Sequence, residues 1–329
     1  MRLLIAGLTV AMVTAIGSFL VFRPRPAPAA AWPLASPPAS APGITRPAHG
    51  GCALAPSSCG FPDATNTGVP AGMTLRAVPG QLSGGPGWHS APDGSVQVTG
   101  DGTVLSGLSI SGNLDISASN VTVSDVRVVT GGAFAVSMRH TTGVIIENSV
   151  ISGLNGAAGR VGVAVDDVYG DSTGMVIAND DISNFKTGVQ VSTGLVTGNY
   201  IHGFGYVAGD HTNGIFDAGT TQPLMIYHNT ILNSHGQTDA ISLDATAAGN
   251  SVANKTVEDN LLAGGGYTIY GGASRHNRIS GILIEDNRFS QAFYANGGQY
   301  GPVAYLGHGA GGVWSGNTWD TTGQTIPAP

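Results

Sequence analysis

Along most of the chain, apolar and polar residues alternate in runs of only a few positions, broken by Gly, Asn, Asp and Ser. Alternation with a period of two predicts strands, because successive side chains of an extended chain point to opposite faces. After residue 60 there is no apolar period of helical spacing long enough to form a helix. One pattern recurs: alternating apolar residues, a small polar pair, one free position, then an apolar residue. It reads VIIENSVI, MVIANDDI, LVTGNYI, LMIYHNTI, TVEDNLL, ILIEDNRF and GVWSGNTW, and aligning these copies puts Ser149, Asp180, Asn199, Asn229, Asn260, Asn287 and Asn317 in one column. Two residues later comes an apolar column of Ile151, Ile182, Ile201, Ile231, Leu262, Phe289 and Trp319. Weaker copies lie around Leu108 and Val126, and the steps along the column are 18, 23, 31, 19, 30, 31, 27 and 30 residues.

A repeated Asn between two strands implies a tight bend whose amide can bond to the copies above and below it. A second set of alternating runs follows each variable stretch: AVSMR at 135, GVAVD at 162, GVQVS at 188, GIFDA at 214, AISLD at 240, IYGG at 269 and AYLG at 304. Three short strands and one loop of changing length then make each coil, which explains uneven steps with a constant motif. The expected fold is all-β: a right-handed parallel β-helix of about nine coils spaced about 4.8 Å apart, with an Asn ladder. A sandwich or propeller also has many short strands, but it would not hold Asn in one column beside an aliphatic one. Residues 60–329 form this domain, and Gly60–Gly85 is expected to cap its open end.

The N-terminus has a different composition. Met1-Arg2 precedes an apolar run from Leu3 to Phe22, so residues 1–30 read as a signal peptide or signal anchor. Residues 31–59 form a Pro/Ala-rich linker carrying Cys52 and Cys59. In an exported chain a close cysteine pair points to a disulfide, and two cysteines are too few for a structural zinc site. The protein is therefore expected to be secreted or displayed at the cell surface, with the membrane involved only through an uncleaved N-terminal segment. Charge narrows the partners. Only 10% of residues are charged and the net charge is −7, which argues against a nucleic-acid partner because that needs a basic footprint.

The repeats resemble the pectate-lyase-like superfamily of right-handed parallel β-helices. The stretches CGFPDATNTGVPAG, LLAGGGYTIYGG, RFS and YGPVAY are similar to secreted actinobacterial β-helix repeat proteins, over most of residues 60 to 320. The likeness is specific for fold and weak for reaction, since the superfamily spans lyases, hydrolases, epimerases and adhesins. It implies that the sheet built from the second set of runs is the active face. The outward positions there are expected to be Ser137, Arg139, Ala164, Asp166, Gln190, Ser192, Phe216, Ser242 and Asp244.

Asp210, His211, Asp217, Asp239 and Asp244 form the densest group of acid and base residues and are the catalytic candidates. Carboxylates on adjacent coils can reach the separations that glycosidases use. Arg139, Asp166, Lys186, Gln190, Asn213, Tyr267 and Tyr270 are the substrate-binding candidates, the tyrosines because their rings can stack on sugars. Each has a plainer role: Asp at a strand end commonly caps a turn, and Asp217 falls in an inward column. No cofactor is expected. Asp166, Asp167 and Asp171 offer oxygen ligands for Ca²⁺, although a solvated loop explains them as well. The signatures of pectate lyases are missing, and Gly307-His308-Gly309 is similar to a polygalacturonase stretch but lacks its partner motifs. The expected activity is acid/base cleavage of an extracellular polysaccharide by a monomer. Hydrolysis of a neutral glycan is favoured over β-elimination or epimerisation, since Lys186 and Lys255 are the only lysines. The alternative is a non-catalytic glycan binder or adhesin.

Overall fold

The computed structural model describes residues 51–243, 251–273, 278–306 and 311–329. The expected export signal and most of the linker lie outside these residues, as do Asp244 and His308. The short alternating runs form strands that pair in parallel with the equivalent run of the next coil. Ile145–Glu147 pairs with Val176–Ala178, for example, with Ile146 beside Ile177. The result is a parallel β-helix with three sheets, here called A, B and C, of ten, eleven and nine strands, against the nine expected of each. The described residues contain no α-helix, only the 3₁₀ turns Cys52–Leu54, Pro56–Cys59 and Ala157–Gly159.

Each coil passes from sheet C through a bend into sheet A, and the polar pair of the sequence pattern makes that bend. Asp125, Asn148, Asn179, His228, Asp259 and Asp286 all sit there with φ between 50° and 56°, and Gly107, Gly198 and Gly316 take the same place with φ of 64–68°. Gly, Asn and Asp tolerate this left-handed conformation best. The next residue turns inward and forms the ladder. Asn199, Asn229, Asn260, Asn287 and Asn317 are fully buried. The Oδ1 of Asn229 accepts the backbone N–H of Asn199 at 3.0 Å and its Nδ2 at 2.9 Å, and the same two bonds recur at Asn260, Asn287 and Asn317. The spare Nδ2 hydrogen goes to a backbone carbonyl, that of Val196 in the case of Asn229. The aliphatic column lies just beyond, with Ile151, Ile182, Ile201, Ile231, Leu262 and Phe289 fully buried and in register.

Sheet B departs from simple alternation. In its middle strands two consecutive residues are buried: Gly188 with Val189, Gly214 with Ile215, and Ala240 with Ile241. A Cβ on Gly188 would come within 2.5 Å of the Gly214 carbonyl, and one on Gly214 within 2.4 Å of the Ala240 carbonyl, so only very small residues fit this column. Ala164 belongs to it and is fully buried, not outward as the alternation suggested. The last strand also shifts, to Gly301–Ala304, ahead of the AYLG expected at 304.

The segment before the first coil does more than cap an end. The Cys52–Cys59 disulfide joins its two 3₁₀ turns, as expected. The Ala53 N–H donates to Asp320 Oδ2 at 3.2 Å, and Cys52, Cys59 and Phe61 pack on Leu261. Phe61 lies between the Arg288 guanidinium, 5.1 Å from its ring, and the His228 ring at 5.3 Å. Further on, the Gly68 N–H donates to the Asn179 carbonyl, and Arg76–Val78 pairs with Leu108–Ile110. The chain thus runs as a strap along the outside of sheet A from the last coils to the first, and then enters the helix.

Asp180 is the one acid in the ladder column. Its Oδ1 accepts the Ser149 N–H at 2.7 Å, but Oδ2, which stands where an asparagine would present its amide, has no hydrogen-bond partner. Burial pushes this carboxyl well above the ordinary carboxylate range, which outweighs the Ser149 bond. The folded protein therefore holds the proton where the unfolded chain has released it, and stability falls as pH rises above about 4. Asp180→Asn is expected to raise the thermal unfolding midpoint at pH 7 and to reduce its decline between pH 4 and 7. An unchanged midpoint and slope would show that Asp180 is already well accommodated as a carboxylate.

Candidate functional site

Parallel pairing in register stacks the outward residues of sheet B into columns. One column runs Gln97, Asp115, Ser137, Asp166, Gln190, Phe216, Ser242, Tyr270 and Ala304, one residue per coil. The small-residue column creates a second one by turning the preceding position outward, where Thr187, Asn213 and Asp239 stack. Polar groups far apart in sequence therefore gather into two clusters on one face.

The first cluster unites three of the predicted binding residues, Arg139, Asp166 and Gln190, with Asp115 and Tyr169. Arg139 Nε donates to Asp115 Oδ1 at 2.7 Å, and the Ser137 hydroxyl donates to the same oxygen at 2.8 Å. The Arg139 guanidinium also lies 5.8 Å from the centre of the Tyr169 ring. That ring stacks on His140 at 4.4 Å, and His140 in turn donates to Asp171 at 2.6 Å. Asp166, next to Gln190 in the column, is 2% exposed and its Oδ1 has no hydrogen-bond partner. Burial, with the neighbouring charge of Asp167, pushes its carboxyl up to about 6 against the opposing pull of Arg139 and Gln190. Asp115 and Tyr169 carried no motif. The alternation Leu114-Asp115-Ile116 does place Asp115 outward one coil before Ser137, but Tyr169 lies in a loop with no periodic signal.

The second cluster unites Asp239, expected to act with Asp210, His211 and Asp217, with the binding candidates Asn213, Tyr267 and Tyr270, and adds Tyr300 and Tyr305. With the amide oriented as its neighbours require, Asn213 Nδ2 donates to Asp239 Oδ2 at 3.0 Å and Oδ1 at 3.3 Å, and its oxygen faces the Thr187 hydroxyl. Tyr267 meets Tyr270 edge-on at 5.7 Å and Tyr300 at 5.8 Å, while Tyr270 stacks on Tyr305 at 5.7 Å. Tyr300 and Tyr305 are both 63% exposed. Burial, then the charge of Asp239 and the neighbouring tyrosines, raises the Tyr270 phenol, so it stays a hydrogen-bond donor at neutral pH. The result is an open aromatic platform beside the Asn213–Asp239 pair, whose acid is 1% exposed.

The other candidates do not join these clusters. Asp217 lies inside the helix: its carboxylate is fully buried 3.3 Å from the equally buried Lys255 Nζ, and its Oδ1 accepts the Gly219 N–H at 3.0 Å. Lys255 Nζ also donates to the carbonyls of Ser192 and Gln222 at 2.7 and 2.8 Å. Burial raises the Asp217 carboxyl against the attraction of Lys255. Its inward column thus decided its position, and no substrate reaches it. Asp210 is held by Arg160 at 2.7 Å and by the Val207 N–H at 2.9 Å. Burial pushes Asp210 up, but these bonds and the charges of Arg160 and Lys186 outweigh it and hold the carboxyl below its ordinary range. Asp210 therefore secures a loop, and Lys186 acts on it only through its charge. His211 is exposed and faces Gln237 at 3.3 Å. Among the described residues, no group of three or more His, Cys, Asp or Glu is arranged to hold a metal ion.

No family model and no curated protein matches the chain. Among solved structures it is similar to the crystal structure of the Dettilon tailspike protein, at 13% identity and a TM-score of 0.37. The match covers 64% of this chain and 46% of that one, so this chain spans less than half of that protein's length.

The Asp217–Lys255 pair yields a stability test. Lys255→Met leaves a buried carboxylate without its cation and is expected to cost about 3–5 kcal/mol in chemical denaturation. The double variant Lys255→Met/Asp217→Leu is expected to recover most of that loss. No recovery would mean that the pair supplies more than mutual neutralisation.

Proposed function

We propose that this is an exported protein that binds an extracellular polysaccharide along the outer face of sheet B. The observation that carries this reading is the tyrosine platform beside the Asn213–Asp239 pair. The exposed faces of Tyr300, Tyr305 and their half-buried neighbours suit the C–H faces of pyranose rings, while their phenol hydroxyls can bond sugar hydroxyls. A flat sheet with one residue per coil repeats along the rod as a polymer does. Tyr267→Ala and Tyr270→Ala are each expected to weaken binding to the preferred polysaccharide about tenfold, read by affinity electrophoresis or calorimetry over a glycan panel, with the circular dichroism unchanged. Wild-type protein that retains no glycan on the panel would count against this reading.

A second reading, hydrolysis of the bound glycan, is favoured by one feature of the first cluster. Asp166 keeps its proton to about pH 6, as a general acid needs. Asp115 stands two coils away, so the two backbones are roughly 10 Å apart and the carboxyls can approach the ~6.5–9.5 Å that leaves room for an attacking water. In this reading Asp166 protonates the leaving oxygen and Asp115 accepts a proton from that water. Reducing ends are then expected to appear without the absorbance of unsaturated uronates, at a rate that falls as pH rises through about 6. Asp166→Asn is expected to abolish their release while short fragments still bind at the tyrosine platform. Equal release by the variant would remove Asp166 from the chemistry.

A further inference from the structure

If sheet B binds a glycan at the tyrosine platform, the first cluster holds a second sugar site, and the two work together. A depression of about 220 Å³ is lined by Asp167, Tyr169, Gln190, Ser192 and Ala218. Tyr169 is 57% exposed, with His140 stacked on its ring and the Arg139 guanidinium 5.8 Å from its centre. The ring is therefore held in place before any ligand arrives, which keeps the entropic cost of stacking low. Gln190 lines the depression, and beside it in the outward column stands Asp166, 98% buried with an oxygen that lacks any donor. A buried acceptor without a donor, one coil from Gln190, is suited to a hydroxyl donor, and hydroxyls near an aromatic side chain are the chemistry of a sugar.

Position along the rod supplies the second half of the argument. Register places Gln190 and Asp166 three and four coils before Tyr270, or about 14–19 Å at 4.8 Å per coil. Gln190 and Tyr270 stand on one hydrogen-bonded sheet, which fixes their spacing, and Tyr169 lies in the loop two residues beyond the end of its strand at Asp167. We infer that the Tyr169–Gln190 depression is a second pyranose-binding site, and that one glycan chain occupies it and the tyrosine platform together. Short oligosaccharides then reach one site at a time, whereas a chain that spans the gap gains from the linkage of two weak contacts. The protein would thus select polymer over its fragments.

The test rests on the glycan that the panel identifies and uses oligosaccharides of increasing length cut from it. Wild-type affinity is expected to rise at least tenfold once the chain exceeds the gap between the sites. Tyr169→Ala is expected to remove that rise while leaving the affinity for the shorter fragments within about twofold, because these bind at the platform. Tyr270→Ala serves as the separate check on the platform and is expected to weaken short and long chains alike. Affinity that does not depend on length, or a Tyr169→Ala variant that matches wild type on the longest chain, overturns the second site and leaves the platform standing. If Tyr270→Ala has no effect, or wild type binds no fragment, the platform falls and this inference falls with it.

Discussion

The whole architecture depends on the buried amide ladder at the bend between sheets C and A. A chain that turns through some 30 residues to return to its starting point loses much conformational entropy, and it needs a device that sets every turn at one height. The asparagine column supplies it. Each Oδ1 takes both the backbone and the side-chain N–H of the preceding ladder residue, and the spare hydrogen goes to a carbonyl. The tight bend would otherwise leave these polar groups buried without partners, which is costly. The ladder therefore satisfies the bend and keeps the strands on either side in register at once.

Register in turn makes the outer face. Once coils stack without slippage, the residue one coil away is as close as a neighbour, so Asp115, Ser137 and Asp166 line up in one column although 51 positions separate the first from the last. The strap contributes in another way. It lies over sheet A and pins it with Phe61 between Arg288 and His228, so the outer side of that sheet is occupied by the protein's own chain. Among the described residues no such segment covers the tyrosines of sheet B, and the groups proposed to bind sugar lie there.

The charged groups follow the same logic of burial. Asp217 and Lys255 neutralise each other inside the helix, Asp210 is tied to Arg160, and Asp180 and Asp166 are each buried with one carboxyl oxygen short of a donor. A protein usually satisfies its interior polar groups, and of these two Asp166 stands in the outward column of sheet B, so it is the one to examine for ligands.

Much of this was legible in the sequence. The ladder column and the aliphatic column follow from a local pattern that repeats, whereas the acid–base group expected of Asp210, His211, Asp217 and Asp239 does not assemble. Repetition reveals such columns because each copy faces the same environment. The sequence could not show where alternation breaks. Only the packed structure shows that sheet B buries two residues in succession at Gly188, Gly214 and Ala240, because that depends on carbonyls of the next coil leaving no room for a Cβ. It likewise took the tertiary fold to send Asp217 into an ion pair with Lys255, to lay residues 52–78 along sheet A, and to bring Asp115 and Tyr169 beside Asp166. These are contacts between parts of the chain that share no pattern, and periodicity is silent about them.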